Sequence, residues 1–165
     1  MNLEELRARK GFICDMDGVI YHGNRLLPGV KEFVEWLYKE DKKFLFLTNS
    51  SDRSPRDLQQ KLQRMGLDID ETHFYTSAQA TARFLNSQSP GCSAYVMGEA
   101  GLMNALYEVG ITMNDSTPDY VVIGEPKSYN YEMIIKAVKL IQNGAKLVAT
   151  NSDLTGPTEN GIIPA

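Results

Sequence analysis

The sequence predicts an α/β protein built on a parallel sheet, and three features carry that expectation. Short apolar runs of strand length, at 12–14, 43–48 and 74–76, each give way to a longer segment whose apolar residues recur at helical spacing. The alternation of strand and helix then repeats, which is the pattern of right-handed βαβ units over a parallel sheet. A length of 165 residues, 42% apolar and 23% charged, suits one ordinary globular domain or two small ones, with enough chain to bury a core.

Residues 1–10 are polar and charged, lack the apolar stretch of a signal peptide, and read as a short helix leading into the first strand. That strand, apolar at Phe12 and Ile13, is expected to be buried and to run into Asp15-Met16-Asp17-Gly18. Gly23-Asn24 reads as a hairpin turn between two short apolar arms. His22 beside it is more simply a turn-side histidine than a catalytic one. Pro28-Gly29 opens a helix to about Glu40, with Val30, Phe33, Val34 and Leu37 on one face and Trp36 at the core or its rim. The second buried strand, 43–48, ends in Thr48-Asn49-Ser50-Ser51. Ser54-Pro55-Arg56-Asp57 supplies an N-cap, an N1 proline and an acidic N3 to a helix that buries Leu58, Leu62 and Met65 and stops at Gly66. After the strand at 74–76, Ser77 is expected to cap a helix with Ala78, Thr81, Ala82 and Leu85 on one side.

The polar break Asn86–Gly91 divides the chain into a first unit, 1–88, and a second, 91–165. In the second, strands at 93–97 and 119–123 each stop at Gly-Glu, a helix runs from about Ala100 to Val109, and another from Tyr131 to Gln142 with Ile134, Ile135, Val138 and Ile141 as its apolar face. A last strand, 146–150, enters Asn151-Ser152-Asp153, and the tail from Thr155 to Ala165 reads as loop. Two echoes run through this order: Gly-Glu ends a strand twice, and Thr-Asn-Ser ends a strand at Thr48 and again at Thr150.

A net charge of −4 disfavours nucleic acid or an anionic membrane as partner, though it leaves room for a local phosphate site. No apolar run approaches membrane-span length. Cys14 and Cys92 have no C-x-x-C spacing, so a reduced, cytoplasmic chain is the simplest expectation.

The chemistry concentrates at strand ends, where open α/β sheets bind ligands. If the first strand runs through both carboxylates, Asp15 and Asp17 point to the same side. Carboxylates that close repel, so one is protonated or a cation lies between them, and an oxygen-only donor set suits Mg²⁺. Gly18 allows a sharp turn and close backbone approach to a ligand. The plain alternative is a solvated Asp-x-Asp-Gly turn. A parallel neighbour strand would bring Thr48 and Asn49 within about 5 Å of this turn. Two carboxylates, a hydroxyl, an amide and backbone N–H groups suit a phosphate bridged to Mg²⁺: Asp15 would attack phosphorus, Asp17 would exchange a proton with the leaving oxygen and water, and Thr48 would hold phosphoryl oxygens.

Asp15-Met-Asp17-Gly18-Val19 resembles the first motif of the haloacid dehalogenase-like hydrolase superfamily, and Thr48-Asn49 after an apolar strand resembles the second. Gly18-Val19-Ile20-Tyr21, Gly23, Pro28-Gly29, Thr76-Ser77-Ala78 and Ala149-Thr150-Asn151-Ser152-Asp153 are similar to the NagD-like branch of capped phosphatases. The resemblance implies a Rossmann-like parallel-sheet half-core with an inserted αβ cap. It implies an Mg²⁺-dependent phosphomonoester hydrolase for a small phosphorylated metabolite, such as a sugar phosphate or nucleotide. Asp15 would be the aspartyl-phosphate nucleophile and Asp17 the general acid/base. Both would be metal ligands, with Gly18, Thr48, Asn49 and Ser50 at the phosphate. Asn151 and Asp153 would reach the substrate from the cap, unless they serve only as turn residues. The superfamily's lysine motif and later acidic pair do not occur before Ala165, so 91–165 is expected to be an incomplete cap and the whole an N-terminal portion of such an enzyme, with homo-oligomerisation an open expectation. Two other functions compete: a receiver-type phospho-accepting domain, disfavoured because its phosphorylated aspartate does not open a D-x-D-G motif, and a non-catalytic phosphate-binding module of the same fold.

Overall fold

The computed structural model describes residues 2–158 and 161–164. Helix α1 (Leu3–Arg7) is closed by a capping box between Asn2 and Glu5 and leads into strand β1 (Gly11–Asp15). Strands β2 (Tyr21–His22) and β3 (Arg25–Leu26) form the two-residue hairpin expected at Gly23-Asn24. Helix α2 (Val30–Lys39), strand β4 (Lys43–Thr48), helix α3 (Pro55–Arg64), strand β5 (Phe74–Thr76) and helix α4 (Ser77–Gln88) follow. The first sheet is parallel, in the order β1-β4-β5. Its core gathers Met16, Ile20, Val34, Leu37, Phe46, Leu58, Leu62 and Phe74. Trp36 sits at the rim of this core as expected, its ring edge-on to Phe12 at 5.4 Å.

Strand β1 departs from expectation in its burial alone: lying at the sheet edge among the described residues, it leaves Ile13 71% exposed. Phe12 and Cys14 pack against the core on one face while Ile13 points outward from the other. The cap of α4 also differs. Thr76, the last residue of β5, accepts from Gln79 N at 3.2 Å while Gln79 Oε1 accepts from Thr76 N at 3.1 Å. Ser77 is thereby the first helical residue and not the cap.

The second sheet, also parallel, has the order β7-β6-β8-β9, from β6 (Ser93–Met97), β7 (Thr112–Met113), β8 (Tyr120–Ile123) and β9 (Lys146–Ala149). Strand β7 escaped the sequence reading because two residues carry no periodicity. Helices α5 (Ala100–Glu108) and α6 (Tyr131–Gln142) cover this sheet. The buried side of α4, Ala78, Ala82 and Leu85, packs with Leu102, Ala105 and Leu106 of α5 and with Ala94, Tyr120 and Val122.

The face of α6 is rotated from the one expected, although Ile141 packs against the core as expected. Ala137 and Leu140 are buried with Met133 and Ile141 beside them, while Ile134 and Val138 are about half exposed. Both stripes satisfy the helical period, and the sheet takes the one with the small Ala137, which lets the helix sit close. Leu140→Ala should therefore cost about 2–5 kcal/mol, and Ile134→Ala, 46% exposed against 6% for Leu140, clearly less; urea unfolding of the two variants checks this. The tail is not loop: β10 (Thr155–Thr158) and β11 (Gly161–Pro164) pair as an antiparallel ribbon. Thr155, Thr158, Ile162 and Ile163 are β-branched and favour strand backbone; Glu159, Asn160 and Ala165 lie outside the described residues.

Candidate active site

The carboxyl ends of β1 and β4 lie side by side, with Asp15 in register with Leu47 and so beside Thr48. The strand stops at Asp15 and does not run through Asp17. The carbonyl of Met16 accepts from the N–H groups of Val19, Ile20 and Tyr21, which folds the chain back in a tight turn. Gly18 holds a left-handed φ of 77° there, and its N–H donates to the Tyr21 carbonyl at 2.8 Å. Asp15 and Asp17 are nevertheless both exposed, on either side of fully buried Met16. Tyr21 places its hydroxyl 3.4 Å from Asp17 Oδ2. Burial, and then the charge of Asp17, push that phenol above its ordinary range. Lys61 lies over the Tyr21 ring, its Nζ 3.6 Å from the centroid.

The turn after β4 is held from both sheets. Buried Thr48 accepts the Ser50 N–H at 3.1 Å on its Oγ1, leaving its own hydroxyl hydrogen to give. Ser77 Oγ donates to the Asn49 carbonyl at 2.7 Å. From the second unit, Asp153 Oδ2 accepts from Asn49 Nδ2 at 2.8 Å, Thr150 Oγ1 donates to Ser51 Oγ at 3.1 Å, and Glu125 N donates to the same Ser51 oxygen at 3.2 Å. Glycines make this approach possible. A Cβ on Gly101 would lie 2.6 Å from the Arg53 backbone, and one on Gly124 would lie 2.8 Å from Ser51 Oγ.

Between the two sheets lies a cleft of about 670 Å³. It is lined by Asp17, Thr48, Asn49 and Ser50 from the first unit and by Asn151 and Asp153 from the second, so it brings together six of the residues singled out from the sequence. Asp15 and Gly18 border this group along the chain but are not among the lining residues. Asp15 and Asp17 offer oxygen alone. No group of three or more His, Cys, Asp or Glu side chains that could hold a metal occurs among the described residues. Oxygen donors of this kind suit a cation that keeps waters and a substrate phosphate among its ligands, as Mg²⁺ does.

The sequence profile of the haloacid dehalogenase-like hydrolases matches residues 12–112. The chain belongs to the haloacid dehalogenase-like hydrolase family. Within it the likeness is to NagD-like proteins. The chain is 44% identical over 154 residues to a dihydroxyacetone phosphatase of Corynebacterium glutamicum, covering 93% of this chain and 56% of that protein. It is 42% identical over 156 residues to the ribonucleotide monophosphatase NagD of Escherichia coli K12, covering 94% of this chain and 61% of that protein. A glycerol phosphate phosphatase of Mycobacterium tuberculosis, solved in complex with magnesium, superposes with a TM-score of 0.87 at 29% identity, over 94% of this chain and 48% of that one. The chain thus spans about half to three fifths of the length of these haloacid dehalogenase-like relatives. No helix among the described residues is long and apolar enough to cross a membrane.

For a family member, the cleft holds several residues that sequence reasoning passed over: Tyr21, Asp52, Arg53, Lys61, Glu125, Lys127 and Tyr129. One signal was present. The strand-ending Gly-Glu pairs were visible as an echo, and the second, Gly124-Glu125, delivers a carboxylate into the cleft. Glu99, from the first, instead accepts the Lys127 N–H at 2.8 Å and fixes the loop after β8.

Proposed function

We propose that this haloacid dehalogenase-like chain is the part of a phosphomonoester hydrolase that carries the nucleophile, acting on a small phosphorylated metabolite such as a sugar phosphate or nucleotide. The observation that carries the reading is the meeting, in one cleft, of Asp17, Thr48, Asn49 and Ser50 with Asn151 and Asp153, beside Asp15 at the end of β1. Relatives named for dihydroxyacetone, ribonucleotide and glycerol phosphate chemistry support the substrate class. In this reading residues 1–88 form the core unit and 91–165 the cap that meets the leaving group.

The Asp15 carboxylate forms a bond to phosphorus as the ester P–O bond breaks, and the departing oxygen takes a proton from Asp17. Asp17 then removes a proton from water, whose oxygen attacks the acyl phosphate and releases inorganic phosphate. The Thr48 hydroxyl and the N–H groups of the 48–50 turn hold the phosphoryl oxygens while their charge redistributes. Asn49, clasped by Asp153, ties this turn to the cap. Mg²⁺, held by Asp15 and Asp17 in this reading, would offset the negative charge that nucleophile and phosphate bring together.

The test is hydrolysis of p-nitrophenyl phosphate by the full chain as it occurs. Turnover at a rate ordinary for an enzyme, about 1 s⁻¹ or faster, is expected of a form that also carries the superfamily's lysine and later acidic pair, and a rate about 10²–10³ lower of residues 1–165 alone. Chelation with EDTA should remove most of it, Mg²⁺ should restore it, and Ca²⁺, which sits further from its ligands, should restore little. Phosphate binding without turnover would favour the non-catalytic module, and undiminished rates in excess chelator would remove the metal from the mechanism.

A further inference from the structure

Ser50 has one hydroxyl hydrogen and two carboxylates within reach. Its Oγ lies 2.8 Å from Asp52 Oδ1 and 2.9 Å from Glu125 Oε2. A hydroxyl donates once and otherwise accepts. If both carboxylates were ionised, two negative charges would share the one Ser50 hydrogen in a half-buried site, an arrangement that favours protonation of one of them. With one carboxyl protonated the chain closes: the acid donates to Ser50 Oγ, and Ser50 donates to the remaining carboxylate. Arg53 decides which is which. Its Nε is 3.5 Å from the other oxygen of Asp52, which favours the shared proton on Glu125. Burial pushes the Glu125 carboxyl up, and hydrogen bonds from the side chains of Ser50 and Asn151 and from the Ser51 backbone only partly oppose this.

We propose that protonated Glu125 is a positioning residue: it holds Ser50, and through it the Thr48–Asn49–Ser50 turn, so that phosphate capture is tightest at mildly acidic pH. The inference rests on the phosphatase reading and concerns the same cleft. Glu125 does not touch the reacting phosphorus. Its ionisation acts in two ways of the same sign. It leaves Ser50 between two carboxylates, loosening the turn, and it adds a negative charge to the cleft that a phosphate dianion enters. The other groups around Glu125 are Asp52 and Arg53 on the turn after β4, Asn151 and Asp153 after β9, and Lys127 and Tyr129 on its own loop. Asp52 opposes ionisation of Glu125, while the Ser51 oxygen is taken up by the Glu125 N–H. Linkage gives the same direction for stability. The folded state holds the Glu125 proton to higher pH than the unfolded chain does. The stabilisation is therefore complete below the ordinary glutamate range and is lost as pH rises from that range through the raised folded value.

The experiment compares the full chain with Glu125→Gln and Glu125→Ala, measuring KM and kcat for p-nitrophenyl phosphate from about pH 5 to about pH 8. Glutamine keeps a permanent donor to Ser50 without charge; alanine keeps none. Loss of one hydrogen bond to a buried group commonly costs about tenfold. The wild-type KM should rise by about that factor across the range, Glu125→Gln should rescue the low acid-limb KM at all pH values, and Glu125→Ala should be high throughout, with KM changing more than kcat. Superimposable KM–pH profiles for wild type and Glu125→Gln, or a glutamine variant that behaves like alanine, would overturn the proposal. If none of the proteins turns over the ester, the phosphatase reading fails, and calorimetric binding of inorganic phosphate over the same pH range still decides. A slope present in wild type and absent in Glu125→Gln supports the positioning role of Glu125, and equal slopes refute it.

Discussion

Asp15→Asn should lower phosphate-ester turnover by about 10⁴ or more while leaving the melting temperature of the protein within a degree or two. The substitution is nearly isosteric. It removes the carboxylate charge that would make this oxygen nucleophilic toward phosphorus and one of the two acidic residues proposed to hold a cation. Asp15 is exposed at the end of an edge strand, where replacement usually changes stability by less than about 0.5 kcal/mol. Removing one of two negative charges separated only by Met16 acts, if anything, in the stabilising direction. Activity and stability should therefore separate completely. Retention of more than a few per cent of the parent rate, with Mg²⁺ present and phosphate release measured directly, would show that Asp15 is not the nucleophile. A coincident loss of activity and fold would show instead that its role is structural.

Much of the scaffold around that carboxylate was legible because local chemistry and tertiary packing agree. Ser54-Pro55-Arg56-Asp57 is a capping box in the folded chain, and the carboxylate of Asp57 is held below its usual range, first by the Ser54 hydroxyl and then by the Ser54 N–H. The first two strand ends meet as the parallel βαβ pattern requires, which is why Asp17, Thr48 and Asn49 share a cleft. Legibility ends where two local solutions are equally good. On α6 the stripe through Ile134 and Val138 is as apolar as the one through Met133 and Ala137, and only the sheet beneath chooses between them. The echoes mark a different limit. Thr48-Asn49-Ser50 and Thr150-Asn151-Ser152 are visible as repeated letters, but their meaning is a contact more than a hundred residues apart in sequence, Asn49 to Asp153, that no period encodes. Glu125 was hidden for the same reason: its chemistry arises from Ser50 and Asp52, which belong to another strand end.

Gly101→Ala sets helix propensity against packing, and packing should win. Gly101 lies in the first turn of α5, where alanine is intrinsically better than glycine by about 1 kcal/mol. Propensity alone therefore predicts a more stable protein. The added Cβ, however, would lie 2.6 Å from both the N and the carbonyl C of Arg53 and 2.8 Å from its Cα. These are backbone atoms and cannot swing aside as a side-chain end could. Either α5 or the 50–54 turn must move, and forced shifts of this kind cost about 1–3 kcal/mol or more. The turn is the weaker partner, because α5 is anchored by Leu102, Ala105 and Leu106 in the second core while Asp52 and Arg53 are held by polar contacts. The Gly101 N–H bond to the Asp52 carbonyl, 3.3 Å, lies on the same path and should lengthen with it. Displacing Asp52 and Arg53 then pulls on Ser50 and the 48–50 turn. The expected result is a melting temperature lowered by several degrees together with a raised KM for p-nitrophenyl phosphate. The KM defect should persist at temperatures where the variant is fully folded by circular dichroism. An alanine variant as stable as the parent would mean that the two units separate at little cost, and one that is less stable but has an unchanged KM would mean that the contact between α5 and the 50–54 turn does not set the geometry at Thr48–Ser50.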